Sequence, residues 1–555
     1  MDNSFFDDDF YDNKKILILA PHPDDEINIA GSVIHNFASK GAEVFVLYST
    51  NGDYEWPAEI RFGEAIDSLR ILGVKKTNII FLGYGDTFNH TGDPHLFYAS
   101  NVVESPAGYG STYGCSLKQD YAYEITGNHS EYTRENYFHD LKSAICRIRA
   151  DFIFCVDFDQ HADHRMLSIM FEKVMGNILT EPGNDYYPAV FKKFAYSLNY
   201  AAEKDFSVFN LLSTKYPVCD GSDDFAKDFI NYSVYQWDER IRVPVDKDCL
   251  VGDLSRNILA MAGCSHKSQR IEENLLGIIN SDEVFWCRRT DGISYKANIN
   301  VSSGDGSKLN DFQLINLVDI DDDVPVIGDY LWTPDLLDEE KKAVFNWNEV
   351  QSISSVKIYG NIDDTSAINK LKIVFGSGQE YEVGPLPNNG EPLEMCFDKP
   401  LLTKACMVKL LDVTGDKYGI SECEFYSSLE EGSHLPPYCK MMIDDNFVYY
   451  YVTNAKRLKL STYQYGIVGK PVYDILEGHA EVDSDGNVLI KDFQSDIIIK
   501  CAMDTNSDVY DIITITPYNF YNYFREYMCK IKNMYTIKKS KLMSKSVKRH
   551  KIKRS

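Results

Sequence analysis

The sequence lacks the cysteine pairs and the long apolar runs that mark disulfide-bonded or membrane-spanning proteins. Its thirteen cysteines are odd in number, scattered and without a CxxC pair, which in a chain of 555 residues argues for reduced thiols and against a thiolate zinc site. No run reaches the ~20 apolar residues that a spanning helix needs. The start, MDNSFFDDDFYDNKK, has no apolar core of a secretory signal. We therefore expect a cytoplasmic protein.

Positive charge is scarce outside the C-terminus. The formal net charge is −26, but residues 525–555 hold twelve Lys or Arg against one Glu, so the rest of the chain carries −37. An acidic body argues against nucleic acid as a partner, whereas the tail has the charge to contact an anionic surface. The tail also interleaves aromatic residues with its basic ones. This pattern fits either a helix peripheral to the inner face of a membrane or a disordered, solvated tail.

The first part of the chain alternates apolar strands with helical patterns, the order typical of a parallel sheet covered by helices. The predicted strands are 16–20, 44–49, 79–82 and 152–156, and the predicted helices are 26–39, 58–72, 134–149 and 164–175. A polar insertion at 84–132 is long enough to be a lid or a binding loop. No GxGxxG motif follows the first strand, which argues against a nucleotide-binding enzyme.

After Lys308 the pattern changes to short alternating strands separated by Gly, Asn and Pro turns, which predicts a β-sandwich. A smaller all-β region follows, with a hairpin turn at 485–487. The predicted multidomain order is an acidic N-terminal tail (1–13), an α/β domain with a parallel sheet (14–307), a jelly-roll β-sandwich (308–430), a small all-β domain (436–517) and a basic C-terminal tail (518–555).

The first strand ends directly in residues that bind metals and move protons. The segment KKILILAPHPDDE, residues 14–26, places His22, Asp24 and Asp25 just beyond the strand. Pro23 holds the residue before it extended, which fans these side chains in different directions. Ligands of open α/β sheets bind beyond the carboxyl ends of strands. The pattern is therefore typical of the start of a hydrolytic metal site.

A second strand ends in the same way. The segment DFDQHADH, residues 157–164, supplies His161, Asp163 and His164 beyond the strand at 152–156. A single histidine of this kind is more often a hydrogen-bonded loop residue than a ligand. Two strands that deliver His and Asp to one edge of a sheet reverse that preference. We expect the two segments to meet around one cation.

These residues resemble the motifs of the PIG-L/LmbE-like de-N-acetylases, which act on N-acetylglucosamine-type sugars. The segment PHPDDE at 21–26 is similar to the first family motif, and HADH at 161–164 is similar to the second, HxDH. The TNGD (50–53), RxxE (61–64) and LGV (72–74) segments also match in spacing. The resemblance covers residues 14–174, and residues 268–289 resemble the end of the longer members.

The resemblance implies a Rossmann-like domain that holds a divalent metal, written as zinc, although ferrous iron can serve. By resemblance His22, Asp25 and His164 are the metal ligands. Three protein ligands leave a position for water and substrate, as catalytic zinc requires. Metal binding also brings the pKa of that water towards neutrality.

The resemblance also implies the residues that carry the proton transfers. Asp24 would be the general base, and His161, if cationic, would stabilise the oxyanion. Asp163 would orient a neighbouring histidine.

Several neighbouring residues have two interpretations each. Glu26 fits the start of the following helix or the support of the site from behind, rather than catalysis. Asp53 and Arg61 are equally compatible with contacts to a sugar and with bracing of the loops. Aromatic residues of the insertion, Tyr113 and Tyr132, with Asn136 beside them, have the chemistry to stack on a sugar, but packing of the insertion on itself is the preferred interpretation.

The predicted sandwich resembles galactose-binding-like (discoidin, F5/8 type C) domains. The resemblance extends over much of the sandwich, but its motifs are weak. The matching pieces are WTPD at 332–335, VKIYGN at 356–361 and YGISE at 418–422. Such domains often bind glycans, yet many are scaffolding, and fold alone does not confer function.

The sequence as a whole therefore predicts a metal-dependent hydrolase of linear amide C–N bonds. Its substrate would be an N-acetylated amino sugar or glycoconjugate of cell-surface glycan metabolism. The alternative is a non-catalytic glycan-binding or assembly protein with an inactive α/β domain. Metal analysis and an acetate-release assay distinguish the two.

Overall fold

The computed structural model describes residues 6, 8–86, 101–157, 161–195, 206–214, 240–314, 330–361, 365–388, 390–429, 432–443 and 457–552. Residues 87–100 of the predicted insertion and 158–160 of the second motif therefore lie outside the described residues.

A seven-stranded sheet forms the centre of the first part of the chain. Its spatial order is β3 (Ile79–Tyr84), β2 (Glu43–Thr50), β1 (Lys15–Ala20), β4 (Phe152–Val156), β5 (Ala189–Lys193), β7 (Asp282–Arg288) and β6 (Ile241–Pro244). The strands from β3 to β5 run parallel, and β7 and β6 extend the sheet in the antiparallel sense. Nearly every side chain of β1, β4 and β5 is buried, as in a parallel sheet covered on both faces. The predicted parallel α/β fold is confirmed.

Helices cover this sheet. They are α1 (Asp8–Tyr11), α2 (Asp25–Ser39), α3 (Ala58–Leu72), α4 (Tyr121–Thr126), α5 (Arg134–Ile148), α6 (Ala162–Leu179), α7 (Ile258–Gly263) and α8 (Leu275–Ile278). Helix α3 ends at Gly73, whose φ of 98° is left-handed and favours glycine. Helix α5 begins after Thr133, whose hydroxyl accepts a hydrogen bond from the Asn136 amide.

The strand order creates a crevice beside β1. The chain leaves β1 for β2 on one side, and β4 lies on the other side of β1. This reversal is the topological switch point at which open α/β sheets bind their ligands. Both sequence motifs follow the two strands that border it.

A second, antiparallel sheet has the order β11-β10-β12-β9-β13, and β8 also pairs with β9. Its strands are β8 (Asn298–Val301), β9 (Lys342–Gly360), β10 (Ala367–Phe375), β11 (Glu380–Val383), β12 (Pro392–Thr414) and β13 (Ile420–Tyr426). Register shifts interrupt the pairing of the two longest strands, β9 and β12, and a separate core that includes Phe345, Ile373 and Phe425 lies beneath them. An all-β region is confirmed here, whereas its jelly-roll and sugar-binding character stays a prediction.

The third region contains two smaller antiparallel sheets, in the orders β14-β15-β18-β17 and β16-β19-β20. Their strands are β14 (Tyr438–Ile443), β15 (Arg457–Tyr465), β16 (Pro471–Glu477), β17 (Ala480–Val482), β18 (Asn487–Ile490), β19 (Ile497–Met503) and β20 (Asn506–Ile515). The predicted turn lies between β17 and β18, where Gly486 has a φ of 80°.

The chain ends differ from the tails that the sequence predicts at 1–13 and 518–555. Phe6 and Tyr11 are buried, because the aromatic residues between the acidic ones pack on Phe37 of α2 and on Tyr438. Near the other end, α9 (Phe520–Ile552) is one continuous helix that packs on the first part of the chain. Among the described helices, none is both long enough and apolar enough to cross a bilayer.

The predicted boundary at 307/308 lies between β8 and the strand with which β8 pairs. Strand β8 precedes Lys308, yet it pairs with β9, and its Ile299 and Val301 pack on the second core. Half of its side chains are exposed, and its alternating sequence, NINV, is only four residues long, so the strand pattern is too short to stand out in the sequence.

A buried network of charges links the first two sheets. Arg288 of β7 lies 3.7 Å from a carboxylate oxygen of Glu172 and 3.4 Å from one of Glu424, which belongs to β13. Lys192 of β5 contacts Glu172 and, at 3.1 Å, Asp157. Buried charges need partners of this kind because desolvation is costly.

Candidate active site

A tight turn after β1 positions the first motif. The Asp24 and Asp25 amides both donate to the His22 carbonyl, at 2.9 and 3.2 Å, and α2 begins at Asp25. The Asp25 carboxylate turns back and accepts a hydrogen bond from the His22 amide at 3.1 Å. Thr50, at the end of β2, donates to the Pro21 carbonyl at 2.9 Å and fixes the strand end from the other side.

The three predicted metal ligands meet in one small triangle. His22 Nδ1 lies 3.0 Å from Asp25 Oδ2, His164 Nε2 lies 3.2 Å from the same oxygen, and the two nitrogens are 3.2 Å apart. All three side chains are buried. Burial opposes ionisation of Asp25, but the two imidazoles hold the pKa of its carboxyl well below the usual range.

The other ring nitrogen of His22 faces two further carboxylates. His22 Nε2 lies 3.1 Å from Asp163 Oδ2 and 3.6 Å from Asp86 Oδ1. Asp163 is fully buried at the start of α6, and its predicted role of orienting a histidine stays a prediction. A carboxylate that accepts from the remote nitrogen of a ligating histidine fixes the ring and its tautomer.

The backbone of α6 sets the hydrogen-bonding state of His161. The Asp163 amide donates to His161 Nδ1 at 3.2 Å, so His161 acts as the N-cap of the helix and keeps its proton on Nε2. Burial, reinforced by His22 and His164, lowers the pKa of His161 to about 4. The neutral ring with an Nε2–H donor is therefore the form that this environment favours, in contrast to the cationic form considered from the sequence.

Asp24 is held by a buried arginine. Arg61 of α3 donates to Asp24 Oδ1 at 2.7 Å, so Arg61 braces the first motif. Gly52 allows this approach, because a Cβ there would lie 2.7 Å from the Arg61 guanidinium and 2.9 Å from Pro23. Burial raises the pKa of Asp24, an effect that Arg61 opposes and Asp25 reinforces.

A layer of hydrogen bonds behind the site connects α2 and α3 to the segment after α7. Glu26 is fully buried, accepts from Ser68 at 2.9 Å and contacts His266 Nε2 at 2.7 Å, which is the supporting role preferred from the sequence. Glu64 accepts from the Ser268 amide at 2.9 Å and from its hydroxyl at 2.6 Å. Glu26 and Glu64 therefore both bind the segment at 266–268.

The residues of the insertion mainly brace one another. Asp53 accepts from the Tyr113 hydroxyl and, at 2.8 Å, from the Asp86 amide. Tyr132 donates to the Gly83 carbonyl at 3.1 Å, and the Asn136 side chain donates to the Glu131 carbonyl. Their described contacts are thus those of packing within the protein.

Sequence reasoning missed Asp86 and His266. Asp86 lies two residues beyond the end of β3, so the rule that placed the other site residues beyond strand ends would have found it. His266 has no such signal, because it lies on an irregular segment and reaches the site only through the packing of α7 against α2 and α3.

The donor set fits a divalent cation. Zinc bonds of ~2.0–2.2 Å in tetrahedral geometry put ligand atoms roughly 3.3 Å apart, close to the observed separations within the triangle. Two imidazole nitrogens and a carboxylate oxygen face one another pairwise, and a cation satisfies all three at once. Asp86 Oδ1 is a buried oxygen with no hydrogen-bond partner among the described residues. A further group, His35, Asp246 and Asp248, lies elsewhere, and Asp248 there is largely exposed.

The comparisons with known proteins fall on the same part of the chain. Residues 17–175 match the family model described as PIG-L: GlcNAc-PI de-N-acetylase, and this range contains both motifs. A probable N-acetylglucosaminyl-phosphatidylinositol de-N-acetylase of Dictyostelium discoideum is 31% identical over 91 residues, which are 16% of this chain and 34% of that protein. The match spans about a third of the length of that curated relative.

Solved structures show weaker similarity. The N,N'-diacetylchitobiose deacetylase from Pyrococcus horikoshii is 22% identical, over 34% of this chain and 63% of that chain, with a TM-score of 0.23. The family 32 CBM of C. perfringens NanJ, solved in complex with galactose, is 15% identical, over 24% of this chain and 94% of that chain, with a TM-score of 0.18. The family match at 17–175 supports an enzymatic de-N-acetylase, and the galactose-binding likeness stays a prediction.

Proposed function

We propose that this protein is a metal-dependent hydrolase that removes the N-acetyl group from an N-acetylated amino sugar or glycoconjugate. The observation that carries the proposal is the triangle of His22 Nδ1, Asp25 Oδ2 and His164 Nε2, all within 3.2 Å, at the switch point of an α/β sheet. The family match over residues 17–175 supports the same reaction class.

His22, Asp25 and His164 would hold the cation, zinc or ferrous iron, and Asp163 would keep His22 in place through its second nitrogen. When bound, the metal supplies a Lewis acid for the amide carbonyl and lowers the pKa of a water. The three donors of the triangle are the residues assigned by resemblance, which supports this ligand set.

Asp24 would act as the general base and later as the general acid. Arg61 donates to Oδ1, which leaves Oδ2 to take a proton from water as the water attacks the amide carbon. The same proton then passes to the nitrogen as the C–N bond breaks, which releases acetate and a free amine.

His161 would stabilise the oxyanion as a neutral donor. Its Nδ1 accepts from the Asp163 amide, so its Nε2–H is the group that can donate to the negative charge on the carbonyl oxygen. The resemblance implies the same role for a cationic His161, so the two versions differ only in the charge of the imidazole ring.

For the substrate, we propose a cytoplasmic precursor or segment of a cell-surface glycan. The named activity of the Dictyostelium relative, on an N-acetylglucosaminyl lipid, and the predicted galactose-binding-like region support this class. The alternative, a glycan-binding protein without turnover, predicts no acetate release from any member of this class.

Single substitutions distinguish the metal ligands from the base. His164→Ala should abolish metal binding, whereas Asp24→Asn should keep the metal and lower kcat by about 10²–10⁴-fold, because only the proton transfer is lost. Bound metal is measured by elemental analysis. Acetate release is measured from free, nucleotide-linked and lipid-linked N-acetyl sugars, after chelation and restoration with zinc or ferrous iron.

Asp67→Asn provides the matched control, since Asp67 lies on α3 and its partner among the described residues, Arg70 at 3.4 Å, is exposed. It should leave both metal content and kcat unchanged. Near-normal turnover of Asp24→Asn would refute the assigned base, and unchanged metal content of His164→Ala would refute the ligand set.

A further inference from the structure

Helix α9 presents the opposite polarity from an ordinary surface helix. Such a helix buries its apolar side and exposes its polar side. In α9 the apolar Ile537 on the face towards the protein is only partly buried, whereas the most deeply buried side chains are polar: Asn522, Glu526, Asn533, Ser540 and Ser544. They recur at intervals of four and seven residues, which is one face of a helix.

Specific hydrogen bonds hold this polar face. Asn533 accepts from the Leu254 amide at 3.0 Å and donates to the Gly252 carbonyl at 2.8 Å. Lys532 contacts Asp253 at 2.6 Å, and Lys541 lies 3.4 Å from Glu273. These directional contacts set the rotation of the helix about its axis, so its outward face is determined.

The outward face is an apolar ridge. We give this name to Phe520, Phe524, Tyr527, Ile531, Tyr535 and Leu542, whose exposed fractions range from 38% to 87%. They repeat every three, four or seven residues and span roughly 33 Å at 1.5 Å per residue. Lys538 lies on the same face between Tyr535 and Leu542, so the continuous part runs from Phe520 to Tyr535. A soluble monomer rarely exposes a row of large apolar side chains of this kind unless it is an interaction site.

Basic residues accompany the ridge. Beyond Glu526, residues 527–552 contain eight Lys and one Arg and no acidic residue. The exposed lysines Lys530 and Lys532 flank the ridge on opposite sides by helical spacing, and Lys538 and Lys545 lie along it. Helices that lie in a membrane interface have this design, with aromatic and aliphatic residues in the lipid and flanking lysines at the headgroups.

We propose that the apolar ridge of α9 docks this protein on an anionic lipid surface, with the helix parallel to the bilayer plane. Phosphate headgroups complement the lysines, and the acyl boundary takes the aromatic side chains. The remainder of the chain is strongly acidic, so it is repelled by the same surface. The protein would therefore bind only with α9 towards the lipid.

A lipid surface explains the ridge better than a second copy of the chain. A two-fold contact through this face would bring two lysine-rich helices together, with like charges opposed. Nucleic acid would match the lysines and could stack on the aromatic rings, but it offers no partner for the aliphatic Ile531 and Leu542, and the acidic remainder of the chain repels it.

A short series of contacts connects α9 to the candidate active site. Helix α9 binds Gly252, Leu254 and Glu273, and the segment between them carries His266 and Ser268, which contact Glu26 and Glu64 behind the metal triangle. Docking through the ridge would thus hold the catalytic sheet at the lipid surface.

Vesicle co-sedimentation of the full chain tests the proposal. We expect binding to vesicles that contain phosphatidylglycerol, weaker binding to phosphatidylcholine alone, and weakening by salt. The pair Phe524→Ser and Tyr535→Ser should lower the partition coefficient about tenfold or more. The pair Lys538→Gln and Lys545→Gln should lower binding to the anionic vesicles by about tenfold and leave binding to neutral ones unchanged.

Val468→Ser is the matched control, because Val468 is 89% exposed but lies outside α9. It should bind vesicles as the wild type does. A wild-type chain that stays in the supernatant with both vesicles would overturn the proposal, as would serine variants that bind like the wild type. Sedimentation without vesicles tests for self-association. A wild-type dimer that the pair Phe524→Ser and Tyr535→Ser converts to monomer would also overturn the proposal. Vesicle binding requires no turnover, so this outcome is independent of the proposed reaction.

Discussion

Arg61 acts on the site through a single carboxylate. It is buried, lies beside a positive-φ glycine and contacts Asp24 at 2.7 Å. Its planar guanidinium is always charged, so it fixes the orientation of the carboxylate as well as its charge. Because Arg61 does not contact the metal triangle, its effect on turnover should separate from any effect on metal content.

We expect Arg61→Ala to lower kcat at least about tenfold with bound metal unchanged, because Asp24 loses its only described hydrogen-bond donor and can rotate. Arg61→Lys should retain part of the activity, since lysine keeps the positive charge but lacks the planar, forked donors of the guanidinium. Acetate release and metal analysis measure the two effects. Arg70→Ala, an exposed arginine on the same helix, should behave as the wild type, and loss of metal from Arg61→Ala would contradict this role.

At the residue scale, the sequence could predict the site residues that lie beyond strand ends, but few of the residues that support them. His22, Asp25 and His164 follow strands in the sequence, so their meeting follows from the topology of a parallel sheet. His266 and its contact with Glu26 depend on a distant irregular segment. No periodicity or local motif encodes such a contact, because its two partners are 240 positions apart.

Helix α6 connects the site to the second sheet. Its first turn carries His164, and near its other end Gly176 meets the chain that leads into β9. A Cβ at Gly176 would lie 1.9 Å from the Asp311 carbonyl oxygen. The glycine is therefore required by close approach of backbone, not by its own conformation.

Gly176→Ala should destabilise the protein by about 1–3 kcal/mol, since the backbone at Asp311 must move away. Gly63→Ala is the matched control inside helix α3, where the nearest atom to the added Cβ, on Leu117, is at an ordinary 3.5 Å. It should be neutral or stabilising by up to about 1 kcal/mol, as helix propensity dictates. Thermal unfolding of both variants measures the difference. Equal melting temperatures would contradict the proposed close approach.

Elements with strong periodicity were predicted well. The predicted helix 58–72 and strand 152–156 coincide with α3 and β4, and the first strands and helices agree within two residues. Helix α6 is longer than predicted at both ends, because its first turn contains the polar HADH motif and its last turn continues four residues beyond 175. The sequence of α9 fits two interpretations, a helix peripheral to a membrane and a solvated tail. Its buried face is polar, so its composition alone resembles that of a solvated tail.

At the scale of the whole molecule, the first two sheets share buried charges. Arg288 lies between Glu172 of the first part and Glu424 of the second, and Glu422 accepts from the Phe312 amide at 3.1 Å. Removal of one partner from such a group leaves a buried charge uncompensated. The sequence could not predict this junction, because the order of the domains along the chain does not determine which charges meet between them.

The junction should make stability depend on pH. Burial raises the pKa of Asp311 to about 7, an effect that Lys308 opposes and Glu172 reinforces. The folded chain therefore holds this proton more tightly than the unfolded chain, and the resulting stability is lost as pH rises from about 4 to about 7.

Asp311→Asn should remove that dependence. Between pH 5 and pH 8 the wild type should lose stability relative to the variant, by an amount on the order of 2 kcal/mol. Asparagine keeps the acceptor that the Gln313 amide uses at 3.0 Å, so the loop is preserved. Denaturant unfolding at several pH values measures the difference, and parallel pH curves for the two proteins would contradict it.

The aromatic residues near the start of the chain make their last contact very late in synthesis. The ring of Phe6 packs edge-on against Tyr438 at 5.6 Å, although more than four hundred residues separate them. At the usual speed of translation, roughly 5–20 residues per second, the ribosome needs on the order of 20–90 s to make that interval. For that time the nascent chain carries an unfinished hydrophobic contact at its leading end, a site at which a chaperone would be expected to act.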